Sequence, residues 1–314
     1  MMSITPIELT ETHAHLAALS RRDMESMLGQ MRGQGTDRTE DNDTGRNTFK
    51  IRRTIVPPMS YQSNFSIRNR FNASKDPDIY FTAGIHPLHV RTEGISLCDT
   101  DRIKKDDENR YQHLCCLCRD PAMRTVAVGE AGLDFYKSSI AMKDYQNMWL
   151  IRQINLAIEF DLPLVHHFRN SADGSTEGDA YREAFQLIEP RRKKMRVRPG
   201  VLHCFSGTWE DAKAFCSMGY RLGIGGAFIN DDTGRLAEVV RRIPYEWMVL
   251  ETDTPFLKPE TISDNSWGWQ CSPTYIPEII HAIMDLKSDG TSVEEIAQIT
   301  NNNAEEIFPF DRFD

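Results

Sequence analysis

The segment Glu11-Thr12-His13-Ala14-His15 places two imidazoles two residues apart. In a strand, side chains at i and i+2 point to one face, so His13 and His15 are expected to project together. Two neutral imidazoles on one face make half of a site for zinc, manganese or iron. Alone, such a pair is equally compatible with packing. Other residues of the same chemistry strengthen the case by where they fall. Glu130 closes the run 125–130, His167 the run 163–167 and His203 the run 200–203, while Asp253 lies just past 247–251. Of nine histidines, four (His13, His15, His167 and His203) fall at the ends of such apolar runs. Chance histidines would be spread over helices and loops.

Those runs are the elements that must position the chemistry. Eight segments read as strands: 7–15, 53–57, 79–84, 125–130, 163–167, 200–203, 220–224 and 247–251. Segments of helical period lie between several of them, at 145–160, 211–218, 236–242 and 277–286. In 145–160, Trp149, Ile151, Ile154, Ala157 and Ile158 are expected on the inner face. Alternation of this kind predicts a (β/α)8 TIM barrel, an α/β fold whose active site gathers at the C-terminal ends of the strands. A doubly wound sheet is the alternative, but no glycine-rich dinucleotide fingerprint opens the first βα unit.

The 314 residues suit one barrel domain spanning 1–314. Residues 32–48 carry no aliphatic or aromatic side chain except threonine methyls. They cannot offset the entropy of ordering and are expected to form a flexible surface insertion. The charged run 99–109 is expected to be a solvated loop or helix face. Hydrophobic residues make up 40% of the chain, enough for a full-sized core. A net charge of −9 argues against a protein that coats duplex DNA by charge alone. Seven cysteines, an odd number in a large chain, do not suggest a disulfide framework, and Cys115/Cys118 form a lone CxxC. The N-terminal residues do not resemble a signal peptide, and no apolar run approaches the ~20 residues that span a bilayer. A cytoplasmic location with no membrane partner is expected.

Six motifs occur in order: Thr12-His13-Ala14-His15-Leu16; Gly84-Ile85-His86-Pro87; Val128-Gly129-Glu130-Ala131-Gly132-Leu133-Asp134-Phe135; Leu162-Pro163-Leu164-Val165-His166-His167-Phe168-Arg169; His203-Cys204-Phe205-Ser206-Gly207; and Glu251-Thr252-Asp253-Thr254-Pro255. Together they resemble the TatD family of metal-dependent deoxyribonucleases. The likeness covers nearly the whole chain apart from the 32–48 region, and 300–308 resembles the family's closing helix. It implies two divalent ions (Mg, Mn or Zn), with His13, His15 and Asp253 on one, His167 and His203 on the other, and Glu130 bridging. Two ions ~3.5–4 Å apart can stabilise the attacking and leaving oxygens of a phosphodiester. By the same likeness Asp253 and Glu130 carry the catalysis, Asp253 orienting or deprotonating the water. His86 and Arg169 face the phosphate, the guanidinium offering a planar fork, and Asp134 orients a ligand histidine. DNA, as single strands or ends, is the implied partner.

Some residues resist the pattern. His166 should point away from His167 on a strand. Leu88 stands where the family often has histidine, Glu11 where it often has aspartate, Ala17 where it often has another acid, and Cys271 where asparagine often precedes Ser272-Pro273. His89, His113 and His281 carry no motif. Trp267 and Trp269 could stack on a base or pack a long loop. Two other functions stay open. A C–N hydrolase would be favoured by a bridging lysine, whereas the bridging position here reads Glu130. A non-catalytic scaffold predicts lost ligands, and none is lost.

Overall fold

The computed structural model describes residues 6–32, 48–71, 78–91, 99–138, 140–263, 267–268 and 270–313. The expected insertion at 32–48 falls largely outside the described residues, as does Trp269.

Eight strands form one sheet in sequence order, every neighbouring pair parallel. They are β1 (Ile7–Glu11), β2 (Phe49–Val56), β3 (Ile79–Ala83), β4 (Thr125–Asp134), β5 (Leu164–Arg169), β6 (Gly200–Leu202), β7 (Arg221–Ile224) and β8 (Met248–Leu250). The α-helices are α1 (Arg21–Met31), α2 (Ser63–Ser66), α3 (Thr100–Arg119), α4 (Lys143–Phe160), α5 (Ala180–Ile188), α6 (Trp209–Ser217), α7 (Gly226–Ile229), α8 (Arg235–Arg242), α9 (Ile276–Lys287) and α10 (Val293–Ile307). This is the TIM barrel that the alternation of runs predicts. Strands covered on both faces read as continuous apolar stretches, and β4 is buried along all ten residues. Thr208 and Ser292 start α6 and α10 with capping boxes, answering backbone N–H groups that a helix leaves free.

Boundaries differ from the sequence reading in informative places. The first strand ends at Glu11, not at residue 15. Past it, the chain still runs beside β8: Thr12 N donates to Leu250 O (3.1 Å), Asp253 N to His13 O (3.0 Å) and His15 N to Thr254 O (2.6 Å), and Ala14 pairs with Thr254. This seam closes the barrel. Strands β4 and β5 run further than 125–130 and 163–167 because they continue pairing to Asp134 and Arg169. The charged run 99–109 is mostly the start of α3, the solvated helix-face reading. On α4 the buried set includes Gln146 and Gln153, while Ile151 and Ile158 are only partly buried.

A second, smaller apolar cluster joins Ile55, Val126, Val165, Val201 and Val249 of the strands to Ala304, Ile307, Phe308 and Phe310 at the C-terminus. Asn301 clips this end to β1: its Oδ1 accepts from Thr10 N (2.8 Å) and its Nδ2 donates to Glu8 O (2.6 Å). Helix α10 therefore packs at the end of the barrel where the strands begin. In TIM barrels that end serves stability and the opposite end serves chemistry. Phe308→Ala is expected to destabilise the fold by ~3–5 kcal/mol, the usual cost of emptying a buried phenyl site. Urea unfolding would measure this, with divalent-metal content of the folded variant unchanged.

Candidate metal centre

At the far end of the strands, Glu11 organises the seam. Its buried carboxylate accepts from His13 N (2.9 Å), Thr252 N (3.1 Å) and Thr252 Oγ1 (2.7 Å). A side chain thus replaces ladder partners and fixes both the extended His13–His15 segment and the chain leading to Asp253. Asp253 and Cys204 adopt left-handed backbone, φ 56° and 46°, bending the chain sharply out of strand direction as it leaves β8 and β6. Glu130 is placed by a slip in the ladder. Gly129 pairs with Val165 and Ala131 with His166, so Glu130 is the extra residue of a bulge. Bulges re-aim side chains next to active sites.

Five imidazoles and two carboxylates converge. His13 Nε2 and His15 Nε2 are 3.2 Å apart. Glu130 Oε1 lies 3.8 Å from His13 Nε2 and from His86 Nε2, and 3.9 Å from His167 Nδ1 and from His203 Nε2. Its Oε2 is 3.4 Å from His15 Nε2. Asp253 Oδ1 is 3.5, 3.8 and 3.9 Å from Nε2 of His15, His203 and His13. Most of these gaps are too long for hydrogen bonds. Two donors each about 2.1 Å from one divalent ion stand roughly 3.0–3.4 Å apart, close to the spacings here. Asp253 Oδ1 is also closed off from solvent with no hydrogen-bond partner. The donor set therefore fits divalent cations.

Four sets bring their donor atoms within 4.8 Å of one another: His13–His15–Asp253, His86–Glu130–His167, His13–His203–Glu251 and His203–Cys204–Asp253. The first is the set the family likeness implies for one ion. His167 stands with His86 and Glu130, its ring 6.3 Å from that of His203. His203 stacks on His13 at 3.4 Å.

The outer nitrogens of two histidines meet carboxylates. His167 Nε2 bonds Asp134 Oδ2 (3.0 Å), and His203 Nδ1 lies 3.0 Å from Glu251 Oε1, which also accepts from Cys204 N. Carboxylates in this position fix ring orientation. Glu251 fits only because β7 offers Gly223, where a Cβ would sit 2.1 Å from Glu251 Oε2. Buried glutamines on α4 support the opposite wall. Gln153 accepts from Ile85 N (2.8 Å) and Gln146 from Asp134 N (3.0 Å). Sequence reasoning missed Glu251, Gln146 and Gln153. Glu251 was traceable as the i−2 partner of Asp253, and the glutamines as two amides seven apart on an apolar helix face. His166 turns away as expected, contacting Ala131 O and Tyr220 Oη, and His113 pairs with Tyr61 Oη. Trp267 does not line the site; its Nε1 donates to Gln30 Oε1 (3.2 Å).

Above the donors opens a cavity of about 450 Å³, lined among others by His86, Lys137, Arg169 and Phe256. The Arg169 guanidinium rests 4.1 Å over the Tyr136 ring.

Burial dominates the electrostatics. It pushes Glu11 and Glu251 up to about 8, Asp253 up to about 7 and Glu130 well above the usual carboxylate range. It also lowers the imidazoles, His15 to about 3 and His166 to about 4. For Asp134, burial works against the charge, but the His167 and Lys137 hydrogen bonds outweigh it and hold the carboxyl low.

Stability should follow with a definite sign. The folded carboxyls keep protons that the unfolded chain releases above its ordinary values of 3.8–4.5. Their contribution is full below those values and is lost as pH rises through 7–8. The buried histidines act oppositely: their contribution is full above 6.5 and is lost as pH falls toward 3–4. Above pH 6.5 only the carboxyls act. Chelator-treated protein is therefore expected to lose melting temperature between pH 6.5 and 8.5. Saturating Mn2+ or Zn2+ should cancel that loss, because ions favour the deprotonated ligands. Parallel slopes with and without metal would contradict the assignment.

A family model described as TatD related DNase matches residues 11–309. The "3'-5' ssDNA/RNA exonuclease TatD" of Escherichia fergusonii is 29% identical over 234 residues, covering 74% of this chain and 78% of that protein. The "Uncharacterized metal-dependent hydrolase YabD" of Bacillus subtilis is 32% identical over 185 residues, 59% of this chain and 66% of that protein. In fold, the crystal structure of YjjV, a TatD homologue from Escherichia coli K12, superposes with TM-score 0.72 at 24% identity, over 96% of this chain and 97% of that one. Since the family match extends through nearly every element that builds the barrel and its donor cluster, this chain belongs to the TatD related DNase family.

Proposed function

We propose that this protein is a two-metal phosphodiesterase acting on DNA, on single strands or ends. The observation that carries this reading is the convergence of five imidazoles and two carboxylates beneath a cavity that also holds Arg169. His13, His15 and Asp253 would hold one divalent ion, His167 and His203 the other, with Glu130 shared. His86 stands close enough to Glu130 and His167 to meet either the second ion or the phosphate. When bound, the ions supply Lewis acidity to the phosphate and lower the pKa of a water toward neutrality.

The chain's own groups do the rest. The Asp253 carboxylate orients the attacking water and accepts its proton. Arg169, held flat on Tyr136, presents its fork to two phosphate oxygens. Asp134 and Glu251 keep the His167 and His203 rings aimed inward. The relatives' names, 3'-5' ssDNA/RNA exonuclease and metal-dependent hydrolase, support the substrate class and the metal requirement. A cytoplasmic setting is part of the proposal. Six free cysteines among the described residues support it. Glu130, not lysine, at the shared position argues against the C–N hydrolase alternative.

Asp253→Asn keeps an oxygen donor and tolerates the left-handed backbone, as asparagine does. It is expected to retain metal yet lose ~10²–10⁴-fold in kcat on end-labelled single-stranded DNA. Arg169→Ala should raise KM and lower rate with full metal content. Parental hydrolysis by Asp253→Asn at full loading would remove Asp253 from the base role.

A further inference from the structure

Five large apolar side chains are exposed among the described residues: Leu88, Tyr136, Val197, Phe256 and Leu257. Single exposed apolar residues mean little, but gathered ones mark a binding surface. Four of these five gather at the cavity. Leu88, Phe256 and Leu257 line it, and Tyr136 lies under the Arg169 guanidinium that lines it.

The arrangement has sides. Phe256 and Leu257 follow β8, whereas Lys137 and Arg169 come from the ends of β4 and β5. In a closed eight-stranded sheet β8 lies across from β4. Phe256 and Leu257 thus stand on one side of the cavity and the cations Lys137 and Arg169 on the facing side, where Leu88 and Tyr136 also lie, with the donor cluster on the floor between them. The Phe256 ring stands 5.9 Å from His15, edge to face. The loop bearing it is held: Phe256 N donates to Asp253 O (2.8 Å), Cys271 N to Pro255 O (3.0 Å), and Asn230 Nδ2 to Lys258 O (3.0 Å). Leu257 sits in left-handed backbone, φ 53°, a costly conformation for leucine. These side chains are kept in water by the fold around them.

We infer that Phe256, with Leu257 completing the wall, is a base-stacking subsite that receives the unpaired base of the nucleotide whose phosphate meets Arg169 and Lys137. The inference rests on the phosphodiesterase reading and extends it. A base within a duplex is already stacked and paired, so a wall of this kind admits single strands or frayed ends. Every base has a π-face, so the subsite tolerates base identity.

The test uses metal-loaded, full-length protein and labelled single-stranded oligonucleotides. Paired substrates differ only in whether the terminal nucleotide carries its base or is an abasic analogue, placed at the 3′ end in one pair and the 5′ end in another. A stacked base is worth about 1–3 kcal/mol, or roughly 5- to 150-fold. The parent should show that ratio of KM, abasic over normal, at one end. Phe256→Ala should collapse the ratio to near one, Phe256→Tyr should restore it, and Val197→Ala, at the turn before β6, should leave it as in the parent. Metal content and melting temperature check that the variants fold. If the parent cleaves both substrates with equal KM, or Phe256→Ala keeps the parental ratio, the subsite is refuted and the phosphodiesterase reading stands. If the parent cleaves neither, both fall.

Discussion

The burial of carboxylates among imidazoles at the mouth of the barrel sets the terms for everything around it. Glu130, Asp253, Glu251 and Glu11 are all withdrawn from water, and each therefore favours its neutral form. The five histidines beside them are lowered for the same reason. Neither set answers the other by proton transfer, because both lose by becoming charged in this place. Divalent cations would resolve the conflict, turning neutral imidazoles and charged carboxylates into ligands at once. The donor cluster is thus costly without metal and well matched to it.

Such a cluster needs walls that do not yield. Around the donors, polar side chains act as fasteners between strands. Glu11 ties β1 to the segment after β8, and Gln146 and Gln153 tie α4 to the ends of β3 and β4. Close backbone approach does the same work where Gly132 meets His167 O, at which a Cβ would come within 1.8 Å. The opposite end is closed by α10 and the Phe308–Phe310 segment, which touch no donor. Stability and chemistry are thereby separated along the barrel axis.

The sequence reading reached the strands and the donors for the same reason: both depend on local pattern. Apolar runs announce buried parallel strands, and chemistry-bearing residues at their ends announce the mouth. The i, i+2 rule even succeeded for His13 and His15 after the strand had ended, because the Ala14–Thr254 bridge keeps the chain extended there. What escaped was long-range. Nothing near Glu130 in sequence shows that its ladder slips by one residue. Nothing near Gly223 shows that it vacates the space Glu251 fills. The sequence points to Trp267 and Trp269 as candidate stacking rings; Trp267 packs beside Gln30, while the exposed rings at the cavity are Phe256 and Tyr136. A run of tryptophans attracts attention in a sequence; exposure can be seen only in three dimensions.

The departures from the family pattern fall along the same division. Glu11 replaces a shorter acid, and its extra methylene still lets it accept three hydrogen bonds across the seam. Cys271 is fully buried and contributes its backbone N–H to Pro255 O. Leu88 places an exposed apolar side chain at the cavity rim. None of the three is one of the six proposed metal ligands. A change in a ligand would be answered by loss of the ion, whereas a change at the rim alters only which part of a substrate is welcomed. The rim is therefore where preference can change while the donors stay fixed, and here Leu88, Phe256 and Leu257 make part of it apolar.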